Sequence, residues 1–129
     1  MSLDVSPSLL KQAENRTMQT EDFLQCIRES LPYAWELVEH LAARLQQGNV
    51  SFVDNQIPPP NEQARGQLLR MLASDAMRHA VEQHYGVKLA FQNCHRLALF
   101  PQDKLGTAYQ EFITPRSQIL NQSPELRDC

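Results

Sequence analysis

Apolar positions along the chain recur at two periods, and the change between them separates a helical body from a short stretch of strand. Ser6-Pro7 opens the first helix, read over residues 7–14: Ser favours the N-cap, and Pro at the first helical position gives up an amide that has no partner there. Thr20 is expected to cap a second helix running to Ser30. Glu21 and Asp22 in its first turn complement the helix dipole, and Phe23, Ile27 and Leu31 share a face. Pro32 starts a third helix, over 32–47. Its Ala34, Trp35, Val38, Leu41, Ala42 and Leu45 form one core-facing stripe, and Gly48 is expected to end it in a left-handed conformation.

Residues 49–60 lose all periodicity. Asp54-Asn55-Gln56 followed by Pro58-Pro59-Pro60 reads as an extended, polyproline-like connector. From residue 62 to 84 the pattern predicts one unbroken helix, ending before Gly86, because Leu68, Leu69, Leu72, Ala73, Ala76, Met77, Ala80 and Val81 hold a single helical phase. Trp35, Leu69, Leu72 and Ala76 are expected in the core that it shares with the third helix. A break at Ser74-Asp75, both good caps, would show cap chemistry outweighing hydrophobic phase. Gly66 weakens the helix by roughly 1 kcal/mol relative to Ala, which points to a close helix contact or a ligand approach there.

After Gly86 the period becomes two. Val87, Leu89 and Phe91 alternate with Lys88, Ala90 and Gln92, and a second run follows from His95 to Phe100, with Asn93-Cys94 as the turn of a hairpin. Gly106-Thr107, Thr114-Pro115 and Ser123-Pro124 then begin short helices or turns. The fold class is α+β, mainly α: one domain over residues 1–129, with a long central helix and one short β-hairpin.

Composition narrows the function classes. A chain of 129 residues has room for one core. Its net charge of −3, from 12 basic and 15 acidic residues spread along the chain, leaves no basic stripe for nucleic acid or an anionic membrane. All the basic residues except Lys11, Lys88 and Lys104 are Arg, which favours specific ion pairs. No apolar run approaches the roughly 20 residues that span a bilayer, and the N-terminus lacks the layout of a signal peptide. Cys26, Cys94 and Cys129 show no CxxC spacing, so reduced thiols in a reducing compartment are expected.

Three arrangements could carry chemistry. Cys94-His95 joins a thiol to a base, yet neighbours in a strand point to opposite faces, so the pair reads first as a hairpin tip. His79 and His84, five apart, do not share a helix face, and no metal or other cofactor is expected. Arg65, near a helix N-terminus, is the best placed of Arg65, Arg70, Arg78 and Arg96 to meet an oxyanion. The candidate functional surface is therefore Asp54, Asn55, Arg65, Asn93, Cys94, His95 and Arg96, with no residue assigned a catalytic role.

Several strings together resemble a family of small proteins of actinobacteria and cyanobacteria. They are Met1-Ser2-Leu3-Asp4-Val5, Ser30-Leu31-Pro32-Tyr33-Ala34-Trp35, Asp54-Asn55-Gln56 with Pro58-Pro59-Pro60, Ala64-Arg65-Gly66-Gln67-Leu68-Leu69-Arg70, Ala90-Phe91-Gln92-Asn93-Cys94-His95-Arg96 and Leu120-Asn121-Gln122-Ser123-Pro124-Glu125-Leu126-Arg127-Asp128-Cys129. The resemblance implies a cytoplasmic bacterial protein and brings no activity or site residue with it. The reading is a non-enzymatic binding or regulatory module acting through protein contacts. It is expected to form a homodimer through the apolar edge of the hairpin, with neither nucleic acid nor membrane as partner. The alternative is a small enzyme or ligand-binding protein with an oxyanion or thiol site around Cys94, His95 and Arg65.

Overall fold

The computed structural model describes residues 3–122 and is α+β, mainly α. In chain order the elements are α1 (Pro7–Glu14), α2 (Thr20–Ser30), α3 (Pro32–Gln47), β1 (Val53–Asp54), α4 (Glu62–Ala73), α5 (Asp75–Tyr85), β2 (Val87–Gln92), β3 (Arg96–Pro101), α6 (Thr107–Phe112) and α7 (Pro115–Leu120). The Ser123-Pro124 start and Cys129 lie outside the described residues.

Cap chemistry sets most helix starts. Ser6, Asn61, Ser74 and Thr114 each accept the backbone N–H three residues on, at 3.1, 2.9, 3.2 and 3.1 Å. For α2 the cap is Gln19 and not the expected Thr20; Asp22 reaches back to accept the Gln19 N–H at 3.2 Å. The expected stop at Gly48 also differs. Its backbone is extended (φ −96°), and its N–H donates to the carbonyl of Arg44. The left-handed stop occurs at Gly86 (φ 67°), which ends α5.

The predicted long helix is two helices. Ser74, with φ −90° and ψ 117°, leaves the helical region and caps α5, so cap chemistry outweighs the continuous hydrophobic phase. The break changes which faces are covered: Trp35 and Leu72 are buried as expected, whereas Leu69 and Ala76 are exposed and Leu68 and Met71 take the core positions. Gly66 needs no close approach, since nothing lies within 4 Å of where its Cβ would be. On α3 all six predicted stripe residues are buried. Gln67 of α4 docks onto its first turn, its side-chain oxygen accepting the N–H groups of Tyr33 and Ala34 at 2.7 and 3.3 Å.

The hairpin belongs to a three-stranded antiparallel sheet of order β1-β3-β2. The third strand comes from the predicted connector, where Val53 pairs with Leu99 and Asp54 with Ala98. The hairpin turn falls at Asn93-Cys94 as expected, both at positive φ (57° and 54°), and the strands keep the register Gln92↔Arg96 to Val87↔Pro101. The pleat sends Val53, Val87, Leu89, Leu97 and Leu99 into the core shared with α2–α5. On the opposite face Ala90, Ala98 and Phe100 pack with Phe112 of α6. Phe52 stacks on Phe100 at 4.9 Å, while Tyr109 and Phe112 meet it edge-on at 5.2 and 5.6 Å. Among the described residues no helix is long and apolar enough to cross a membrane.

Candidate functional site

Six of the seven sequence-derived candidates meet where β1, the hairpin turn and the start of β3 come together. Asp54, 8% exposed at the end of β1, receives the Arg96 guanidinium on one carboxylate oxygen, from Nε at 2.8 Å and Nη2 at 2.7 Å; Gln56 donates to the other oxygen. Arg96 also donates to Oε1 of Gln92 at 3.2 Å and lies over the Phe112 ring, 5.0 Å from its centroid. Gln92, itself buried, donates to the carbonyl of Phe112 at 2.7 Å and to Oγ of Ser117 at 3.0 Å. The network ties both outer strands to α6 and α7.

Asn55 continues the β1–β3 ladder with its side chain. Its Oδ1 accepts the Leu97 N–H at 2.8 Å, and its Nδ2 donates to the carbonyl of His95 at 2.7 Å. Asn93 binds the end of α7, its oxygen accepting from Gln118 and Gln122 and its amide donating to the carbonyl of Asn121. His95 turns Nδ1 toward the carbonyl of Asn93, 2.6 Å away. Cys94 is disulfide-bonded, contrary to the expectation of three reduced thiols, while Cys26 is free and buried. A thiol nucleophile at position 94 is thereby removed, and the imidazole beside it is engaged with backbone. Arg65, the seventh candidate, sits on α4, 3.7 Å from Glu62. These residues are committed to one another, and what they do is hold the sheet tip together.

Arg78 and Lys88 instead face an open groove of about 500 Å³ along the outer edge of β2. Leu89, Phe91 and Gln92 form its floor, Leu72 and Arg78 one wall, and Tyr109, Phe112, Ile113 and Gln118 the other. Among the described residues its only charged lining residues are these two cations. Each has an acidic neighbour: Arg78 pairs with Asp75 at 2.7 Å, and Lys88 lies 3.7 Å from Glu82. Ile113 is 51% exposed at the rim. Of these residues sequence reasoning raised Arg78 as one of several arginines, and Lys88, Leu89, Phe91 and Gln92 only as part of the hairpin whose apolar edge it expected to pair with a second copy. The groove joins positions up to 46 residues apart, so no local spacing marks it.

A third cluster lies where α5 meets α3. Trp35 Nε1 and the Tyr85 hydroxyl both donate to one oxygen of Glu39, at 3.3 and 3.1 Å. Burial first, then the hydrogen bond with Glu39 and its negative charge, push the Tyr85 phenol well above its ordinary range against a smaller opposing pull from Arg28. A phenol held neutral here serves packing against Trp35, 5.8 Å away between ring centroids.

The family model described as NucS shadow ORF matches residues 1–129, so the chain belongs to that family. No curated protein matches it, and no solved structure does.

Proposed function

We propose that this member of the NucS shadow ORF family is a non-enzymatic, cytoplasmic module that acts through protein contacts, and that the groove beside β2 is its contact surface. One contrast carries the reading. The residues with chemical potential at the sheet tip are spent on internal hydrogen bonds, whereas the groove combines exposed apolar surface, two cations and the edge of a strand. A photo-crosslinking residue at Gln118, compared in cells with the same residue at the exposed Leu10 of α1, tests it. Discrete protein adducts from position 118 alone are expected; equal labelling from both positions, or none, would refute the reading. The cytoplasmic part has its own test, because disulfides there are rare. Alkylation at the moment of lysis reads the state of Cys94 in cells: a reduced thiol supports the cytoplasm, and persistence of the disulfide seen in the structure would refute that part of the reading.

The family's description favours a second reading. A shadow open reading frame lies over the coding sequence of another gene, here that of NucS, and its product need not have a task of its own. Against that stands the consistency of the chain across levels: capped helices, strands that alternate toward two cores, and no buried side-chain polar atom left without a partner among the described residues. Whole-cell peptide mass spectrometry distinguishes the two. Peptides of this chain should be present and should vanish when its start codon is removed by a change silent in NucS.

A further inference from the structure

We infer that the groove takes a short, extended, acidic segment of a partner protein, laid along the outer edge of β2. The inference rests on the reading of this groove as the contact surface and names the kind of partner it fits.

The backbone supplies the first reason. Among the described residues the sheet order is β1-β3-β2, so no strand pairs with the outer edge of β2. The Leu89 N–H donates to Oε2 of Glu82 at 2.9 Å and therefore points away from β3; by antiparallel alternation the N–H and C=O groups of Val87, Leu89 and Phe91 all face outward. Glu82, 5% exposed, thus occupies one outward donor and closes the α5 end of the edge. The stretch around Phe91, which lies on the groove floor, is left for an incoming strand. A pairing this short suits a peptide segment of a few residues and not a long strand.

Charge supplies the second reason. In a chain of net charge −3 the groove's charged lining residues, among those described, are both cations. Carboxylates on a bound segment would meet Arg78 and Lys88, while apolar side chains on its other face would pack against Tyr109 and Ile113. A second copy paired edge to edge would bring its own Lys88 and Arg78 to the same groove, which argues against self-association there.

The test uses a fluorescein-labelled hexapeptide alternating valine with glutamate, its counterpart alternating valine with lysine, and fluorescence anisotropy with the full chain. The glutamate peptide should bind, more weakly as salt rises, and the lysine peptide should not. Methylating its alternate backbone nitrogens should abolish binding. Lys88→Gln should weaken it about fivefold. Ile113→Glu, a change at an exposed position that leaves the fold intact, should weaken it by about tenfold or more. Equal binding of the two peptides, or indifference to both substitutions, would overturn the inference. So would sedimentation of the chain as a dimer that Ile113→Glu dissociates, because the groove would then belong to a second copy. Crosslinks at position 118 without peptide selectivity would refute the acidic segment and leave the contact-surface reading standing; no crosslinks would refute both.

Discussion

The two faces of the sheet are covered by different means. On one face α2–α5 bury aliphatic side chains, among them Ile27, Leu31, Val38, Leu41, Leu68 and Met71, each less than 2% exposed. Burial of this kind contributes about 1.5–3 kcal/mol per side chain and asks for no particular partner. On the other face α6 and α7, of six residues each, are too short to hold themselves together. They are held by aromatic contacts to Phe100 and by hydrogen bonds with Gln92, which donates to Phe112 and Ser117, and Asn93, which donates to Asn121 and accepts from Gln118. The first face should therefore unfold only with the whole chain, and the second should open locally at lower cost.

The largest expected effect contrasts the two directly. Phe100→Ala and Leu41→Ala should each cost about 3–5 kcal/mol in urea denaturation. Only the first should strip α6 and α7 of amide-exchange protection while α3 remains protected. Equal loss of protection in α3 would show that the two faces form one cooperative unit. Next, Asp54→Asn withdraws the charge that Arg96 faces and should cost about 2 kcal/mol. Its exchange effect should be confined to β1 and α6–α7. Ser74→Ala removes a cap inside the helical layer and should cost about 1 kcal/mol, without loosening α6. The smallest effect concerns pH. The folded-state pKa of Tyr85 is raised above the unfolded value of about 10, so the stability tied to its neutral phenol is present below that pH and is lost as pH rises toward the folded value. Tyr85→Phe should flatten the decline in stability between about pH 10 and 12.

The same contrast explains what the sequence discloses. The stripe on α3 and the alternation of β2 are local patterns repeated several times, and they identify their elements. β1 has two residues and cannot express a period, so the loop around Asp54 conceals a strand. The break at Ser74 is hidden because Leu69, Leu72, Ala73, Ala76 and Ala80 keep helical spacing across it; only the Ser74-Asp75 cap signal marks it. At the candidate site the sequence put Asp54 and Arg96 in one list of candidates without pairing them. Their 42-residue separation is bridged by strand pairing, and so is the convergence of Asn55 with Leu97. Gln92 and Gln118 bear no motif, and their importance arises from what folding places opposite them.

Glu82 has a consequence for the chain's behaviour in a crowded cell. A free strand edge is a template on which identical molecules can polymerise, each exposing the same edge to the next. Here a growing sheet would have to displace the carboxylate from the Leu89 N–H and leave it buried with Lys88, 3.7 Å away, as its remaining partner, at a cost that disfavours addition. One buried acid thus terminates open-ended strand addition, leaving a guarded edge in place of a fibre seed.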